Sequence, residues 1–527
     1  MVGIIDNTCL HYPIGTRIKV GDNYGTVKYV GEVTGYSGSW LGIEWDDPHR
    51  GKHNGSLNGK HYFHTQYPNA GSFVRPGKIG PFMSLEDAAR ERYLGYSAER
   101  SLNTSLIREA QENMQASFFE VVGMDKIARK QSKFEQLSEV SVDSCPVNAA
   151  GYLKDFQVLT ALNVSSTLIW NWEIVANICK QVPTLLDLNL SSNRFVLPTD
   201  VQINELEPAF RNVQCINLRN CGYKDWTDVM QTAKLWPHIQ VLALQENSIS
   251  ELREVNCKEI FKSLRELDLH RTKIMDFDQV CKLGNIRTLK SLNLMENCIE
   301  EIKLPYCEPH LKLQKFLQLE QLNGLYNPIW NEEDAFNELD KLPSLKRLSK
   351  TPHLKSNFDD MFSKAVGMIS QLETVNKVQV SAEARRDASY DIWKRYAMEW
   401  LQVADKPELL QEFYKKHRTY AGIIKRYGSP AEFVVRPKVK HSNLIKVRVV
   451  NKKNGEIWEK RVPRMITVQT LQGLIAKRFQ PTTASGSSLP MLSYIDAKYP
   501  DLIVPMDNSA KTLDFYSVQD GDTICVK

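Results

Sequence analysis

Apolar residues follow three different rhythms along the chain. Between residues 151 and 380 they recur in blocks. Leu185, Leu188, Leu190, Asn193 and Phe195 occupy positions one, four, six, nine and eleven of a unit, LxxLxLxxNxL. Ile239, Leu242, Leu244, Asn247 and Ile249 repeat that spacing, as do Leu289, Leu292, Leu294, Asn297 and Ile299. Leu264, Leu267, Leu269 and Ile274 keep it with Thr272 at the Asn place, and Val213, Ile216, Leu218 and Tyr223 keep it with Cys221 there. Leu159, Leu162, Val164 and Ile169 form a degenerate first copy. The second apolar position falls at 162, 188, 216, 242, 267 and 292, then more loosely at 322, 348 and 375. A period of this length predicts stacked strand-and-turn units with their leucines pointing inward, an α/β solenoid. The Asn is expected to satisfy backbone groups where the chain leaves its strand.

The two ends keep other rhythms. Short strands are expected at Arg17–Val20, Gly25–Val30, Leu41–Trp45 and Ser72–Val74, and 14 of the 27 glycines fall in the first 80 residues. That combination predicts a small β-barrel or sandwich with many tight turns over residues 1–80. Near the other end Leu444–Val450 alternates as a half-buried strand, Lys452-Lys453-Asn454-Gly455 reads as a hairpin turn, and Ile457–Val462 as the returning strand. Thr467 then caps a helix that carries Val468, Leu471, Leu474, Ile475 and Phe479 on one face, followed by strand-like Leu492–Ile495 and the segment Leu513–Val526. Strand, hairpin, helix and late strands are the order of an α+β β-grasp over residues 441–527. Residues 81–150 read as a helical connector, with Ser84 as N-cap, helix over Ser84–Tyr93 and much of 105–140, and Phe118 and Phe119 as a packing seam. The aromatic-rich stretch 381–430, with Trp393, Tyr396 and Trp400, is expected to be a helical cap over the last repeat, closed by Gly428-Ser429-Pro430.

The glycine-rich end carries the most specific motif. Trp40-Leu41-Gly42-Ile43-Glu44-Trp45 precedes Gly51-Lys52-His53-Asn54-Gly55, and Gly71-Ser72-Phe73-Val74-Arg75-Pro76 follows. This resembles the CAP-Gly family, whose signature is Gly-Lys-Asn-Asp-Gly. The resemblance implies binding of an acidic Glu-Glu-Tyr/Phe terminus such as the tail of α-tubulin. In that reading Gly51 and Gly55 allow close backbone approach, and Lys52 supplies a cation to a carboxylate. Trp40 and Phe73 wall a slot for an aromatic ring, and Arg75 holds a second acid. His53 and Asn54 stand where the family has Asn and Asp, and Gly35, with Tyr36 beside it, stands where the family often has Phe. Trp40 and Phe73 equally fit a core role in so small a domain.

The central array resembles the leucine-rich-repeat family, which presents its parallel-strand face to partners. Asp187, Asn189, Asn217, Arg219, Gln245, Glu266, Asp268, His270, Asn293 and Met295 lie between the leucines and are expected on that face. Singly each is a solvated residue; together they make a protein-binding surface with no acid–base pair placed for catalysis. The last 85 or so residues resemble the ubiquitin-like family. They stop at Lys527 without a Gly-Gly tail, which points to docking rather than conjugation. CAP-Gly, repeats and ubiquitin-like module in this order resemble the tubulin-folding cofactor E family. That resemblance implies capture of α-tubulin, assembly of the αβ-tubulin heterodimer with cofactors C and D, and its dissociation with cofactor B.

Composition narrows the rest. The formal net charge is +5 on 67 basic and 62 acidic residues, with no basic stripe, so neither nucleic acid nor an anionic membrane is an expected partner. The ten Cys include no CxxC pair, so no metal site is expected, and the thiols read as reduced small hydrophobes. There is no signal-like start and no apolar run of about 18 residues, so a cytoplasmic protein is expected, and the resemblance implies association with the cytoskeleton. No phosphate loop, GxSxG or HExxH occurs, so no cofactor and no enzymatic activity are expected. Two other readings remain at this stage, a microtubule-bound structural linker and a ubiquitin-pathway adaptor that docks to the proteasome.

Overall fold

A computed structural model describes residues 12–95, 133–329, 331–431, 444–479, 489–497 and 499–526. The chain divides into two compact units, one ending at Pro430 and the other beginning at Ala431.

The first unit opens with an antiparallel sheet of β1 (Arg17–Val20), β2 (Asn23–Val33), β3 (Tyr36–Trp45) and β6 (Gly71–Val74), in that spatial order. A separate hairpin joins β4 (Ser56–Leu57) to β5 (Lys60–His61). Alternation sets the faces: Ile18, Val27, Leu41, Ile43 and Trp45 form the buried core. Val33 pairs with Tyr36, leaving Thr34 and Gly35 as a two-residue turn, and Gly35 takes φ +89°, which glycine adopts at no steric cost. Arg17 is almost fully buried. Its guanidinium forks onto Asp46 at 2.7 and 2.5 Å and donates to Thr26 Oγ1 at 2.8 Å, tying β1 to the end of β3.

This sheet is fastened to the repeats. After it, β7 (Met83–Ser84) runs parallel to β9 (Val147–Ala149). Helix Leu85–Arg90 starts at Ser84, whose hydroxyl accepts the Asp87 amide at 3.0 Å. Arg90 pairs with Asp155 at 2.8 Å, Arg92 with Asp143 at 2.8 Å, and Glu86 accepts the Tyr152 amide at 2.9 Å. One part of the expected connector is therefore not helical. Residues 133–150 hold a short 3-10 turn at Phe134–Gln136 and two strands, β8 (Glu139–Ser141) and β9. Val140 and Val142 are buried between outward Glu139 and Ser141, a period of two masked by mixed charge. Most of the 105–140 helix expectation, with Phe118 and Phe119, lies outside the described residues.

Strand β8 begins an eleven-stranded sheet. It continues through strands at Ala161–Asn163, Asp187–Asn189, Cys215–Asn217, Val241–Ala243, Glu266–Asp268, Ser291–Asn293, Gln321–Asn323, Arg347–Ser349 and Thr374–Val375, all parallel, and ends antiparallel at Val378–Gln379. Val140, Leu162, Leu188, Ile216, Leu242, Leu267, Leu292, Leu322, Leu348 and Val375 are directly opposite one another down the stack. The spacing of the second apolar position is thus the register of the sheet. Beside this row runs a row of buried asparagines. Asn247 accepts the Cys221 and Tyr223 amides at 3.0 Å and donates to the Leu218 and Leu244 carbonyls at 2.9 Å. Asn193, Asn297 and Asn327 bridge neighbouring turns in the same way. At the substituted places the Thr167, Cys221 and Thr272 side chains donate to the Val164, Leu190 and Leu269 carbonyls, and none offers the amide-accepting oxygen and donating NH2 pair of an asparagine. On the other side of the array short helices start at Asn171, Thr199, Asp225, Asp276, Asn331 and Asn357, each accepting an amide from its first turn.

Helices Ala382–Arg395, Ala397–Val403, Pro407–Lys416 and Tyr420–Tyr427 close the array. Arg418, almost fully buried, donates to the Cys307 and Leu311 carbonyls, while its amide donates to Asn337. The nine described cysteines form no disulfide. Burial pushes the Cys179 and Cys221 thiols up to about 12, so they stay protonated and pack as apolar groups.

In the second unit five strands order as Ile457–Pro463, Leu444–Asn451, Thr523–Val526, Leu492–Asp496 and Tyr499–Pro505, with the helix Val468–Phe479 in its sequence between the first hairpin and the late strands. Leu444–Asn451 and Thr523–Val526 are parallel, the other pairs antiparallel, which is the β-grasp arrangement. The core joins Ile445, Val447 and Val449 to Leu471, Ile475 and Ile524. The strand Tyr499–Pro505 was not anticipated, and Leu513–Val518 forms turns rather than a strand, with Leu513 and Val518 still in the core.

The asparagine row gives a stability test. Asn247→Ala strips four buried backbone groups of their partner, each worth about 1–3 kcal/mol, so after relaxation a loss of about 3 kcal/mol is expected in denaturant unfolding. Asn247→Thr imitates the native arrangement at Thr272 and is expected to cost roughly a third of that. Equal losses for the two variants would contradict this role.

Candidate functional site

The loop 51–55 is seated on its own domain. Lys52 and His53 amides donate to the Gly71 carbonyl at 2.7 and 3.2 Å, and Gly71 donates back to His53 at 2.7 Å. A Cβ on Gly51 would lie 2.3 Å from the Asn69 oxygen, and one on Gly55 only 1.7 Å from the Phe63 oxygen. Their smallness is used by the chain's own backbone, and it holds the loop in place. Lys52 is exposed, and its ammonium makes no ion pair with the described residues. Asn54 is exposed and accepts the Ser56 amide at 3.2 Å.

Trp40 and Gly42 share a face of β3, and Gly42 is opposite Tyr29 on one side and Phe73 on the other. A side chain at Gly42 would collide with Phe63, so this glycine opens the sheet to an aromatic cluster. Phe73 lies at its centre, 5.2 Å from Tyr62, 5.5 Å from Phe63, 6.2 Å from Tyr29 and 5.1 Å from the His53 ring. Half-exposed Tyr36 stands edge-on to Trp40 at 5.9 Å, so an aromatic wall exists despite Gly35. Arg75 has a different place from the one expected. Its guanidinium stacks on Trp40 at 3.8 Å and donates to the Ser37 and Ser39 carbonyls at 2.5 and 3.2 Å. It braces Trp40 and the β2–β3 hairpin instead of offering a free cation.

His53 is set by its neighbours. The Gly55 amide donates to His53 Nδ1 at 3.0 Å. An amide only donates, so Nδ1 carries no proton and Nε2 does. Burial between Phe63 and Phe73 holds the imidazole below its usual range.

On the repeat face most of the expected residues are engaged internally. Asn189, Asn217, Asp268 and Asn293 each accept the amide two residues on, closing the turn out of their strands. Gln245 donates to Asp268 at 2.9 Å. Arg219 pairs with Glu246 at 2.7 Å, and His270 and Arg271 reach Glu296 at 3.3 and 2.5 Å. Asp187 and Glu266, at first strand positions, are left exposed. Burial and the Glu139 charge two strands away raise the Asp187 carboxyl. Among the described residues no three His, Cys, Asp or Glu side chains converge as a metal site, and no helix is long and apolar enough to cross a membrane.

Comparison with known proteins places the chain. The CAP-Gly domain family matches residues 14–79. Tubulin-specific chaperone E of Drosophila melanogaster is 66% identical over the full length of both chains. The chain belongs to the tubulin-specific chaperone E family. The Mus musculus member is 31% identical over 98% of each chain. The solution structure of the C-terminal ubiquitin-like domain of mouse tubulin-specific chaperone e is 28% identical over 17% of this chain and 90% of that one, with a TM-score of 0.14.

In this chain the motif brought Lys52, His53 and Asn54 onto one loop, with Trp40 and Phe73 on the neighbouring sheet. Tyr29, Tyr36, Tyr62 and Phe63 were not among the expected site residues. The alternation of β2 and the Tyr62-Phe63 pair beside the motif were the available signals. A titration follows from His53. Its folded pKa lies below the unfolded value of about 6.5, so the unfolded loop binds the proton more readily. The order it confers is complete above pH 6.5 and is lost as pH falls through the lower folded value. The expected NMR result is a His53 midpoint below 6.5 with faster Gly55 amide exchange on the acid side. In His53→Asn, Oδ1 takes over the acceptor role and this dependence disappears. A midpoint at or above 6.5 would contradict the assignment.

Proposed function

We propose that this chain is a non-enzymatic tubulin chaperone that captures α-tubulin. The acidic C-terminal tail lies in the groove of the amino-terminal sheet and the folded body on the repeats. The observation that carries this reading is the exposed Lys52 ammonium, which makes no ion pair with the described residues, on a loop fixed beside the aromatic cluster of Phe73, Tyr62 and Phe63. A cation beside an aromatic wall suits a peptide that ends in acids and an aromatic ring. Trp40, braced by Arg75 and flanked by Tyr36, extends that wall. The relatives' name, tubulin-specific chaperone, supports the same ligand.

The tail contact and the body contact belong to one compact unit. Capture by the first raises the effective concentration for the second. In this reading the repeats compete with β-tubulin for α-tubulin, so the chain takes part in assembling the αβ-tubulin heterodimer with cofactors C and D and in separating it with cofactor B. It works in the cytoplasm and at the cytoskeleton. The β-grasp unit docks a further protein, with the proteasome as the candidate.

Calorimetry with an α-tubulin tail peptide tests the groove. Loss of a charge-assisted bond predicts that Lys52→Ala binds about tenfold to a hundredfold more weakly. Unchanged affinity in Lys52→Ala would remove the groove from the reading.

A further inference from the structure

Along one rim of the array, the residue just before the buried asparagine position adopts a left-handed backbone in repeat after repeat. Glu246, Arg271, Glu296 and Tyr326 hold this place with φ between 52° and 58°. The first three pair with one another, Glu246 with Arg271 at 3.7 Å and Arg271 with Glu296 at 2.5 Å. At Tyr326 the pattern breaks. Its side chain is 63% exposed, and in the following repeat Leu354 is 95% exposed.

The loop that carries Leu354 is not loose. Lys350 and Glu332, exposed by only 3% and 5%, form an ion pair at 3.1 Å. Lys350 Nζ also donates to the Thr351 carbonyl at 2.8 Å, and Glu332 accepts the His353 amide at 2.7 Å. Thr351 Oγ1 accepts the Tyr326 amide at 2.8 Å, tying the loop to the preceding repeat, and the Ser356 amide closes the loop onto His353 at 2.8 Å. A buried ion pair is costly to desolvate and does little for stability by itself. Here both ends of it hold the backbone that leads into an exposed leucine. Lys355 and Lys377 are exposed nearby in sequence and register, and neither makes an ion pair with the described residues.

We infer that Leu354 is a preorganised apolar anchor for a folded acidic protein. It enters a nonpolar recess edged by carboxylates that meet Lys355 and Lys377. A rigid loop loses little freedom on binding, and a single central apolar side chain then carries a large share of the affinity. This rests on the tubulin reading and sharpens it. The body of the captured subunit is gripped at the carboxyl-terminal end of the rim, away from the strand-face residues that bond to one another.

The test measures binding of the full chain to immobilised αβ-tubulin heterodimer and, separately, to the α-tubulin tail peptide. Leu354 is solvated, so substitutions there leave the fold intact. Leu354→Asp is expected to bind heterodimer about tenfold or more weakly while its tail-peptide affinity is unchanged, and Leu354→Met is expected to stay near wild type. Wild-type heterodimer affinity in Leu354→Asp would overturn the anchor and leave the tubulin reading standing. A wild-type chain that binds neither ligand would overturn both.

Discussion

The repeats stand on a backbone constraint. A chain that turns out of a short strand every 25 or so residues buries amides and carbonyls that no strand partner can reach. Asn193, Asn247, Asn297 and Asn327 satisfy them, each side chain both accepting and donating between adjacent turns. Because every such bridge spans two repeats, it fixes how one repeat sits on the next. The leucine row from Val140 to Val375 then packs in register, and the strand face and the rim become continuous surfaces. Thr167, Cys221 and Thr272 alternate with the early asparagines, so nearly every turn has a two-handed bridge on at least one side.

That rigid stack is also the mounting for the amino-terminal sheet. The β7–β9 pairing, the Arg90–Asp155 and Arg92–Asp143 ion pairs and the contact of Gly15 with Trp170 make the sheet part of the same body as the first repeats. Individually the exposed pairs contribute little. Together with main-chain pairing they set where the amino-terminal sheet stands relative to the strand face. The proposed capture of a ligand with an acidic tail and a folded body rests on that fixed arrangement.

Much of this was legible in the sequence, where a single period carried the information. The marker residues at 162, 188, 216, 242, 267, 292, 322, 348 and 375 are the pairing register itself, because inward leucines and buried asparagines tolerate few substitutes. The loop motif likewise located Lys52 and His53. Legibility failed where a residue type serves two purposes. Arg75 reads as a free cation, yet it stacks on Trp40 and bonds two carbonyls. Gly51 and Gly55 read as close-approach positions for a ligand, and each is also packed on its Cβ side against Asn69 or Phe63 backbone. Asn189 and Asn217 read as a binding face, yet each closes its own turn. Strand β8 was hidden because three residues of alternation leave too short a signal among charges. Nor does any pattern mark Leu354, whose setting depends on a buried pair between residues 18 apart.

Size-exclusion chromatography of purified chain mixed with intact αβ-tubulin, with and without cofactor B, tests the central claim of α-tubulin capture most directly. The account predicts that the heterodimer peak shrinks and α-tubulin co-elutes with this chain. Tubulin that elutes wholly as heterodimer, with the chain at its own separate volume in both conditions, would contradict it.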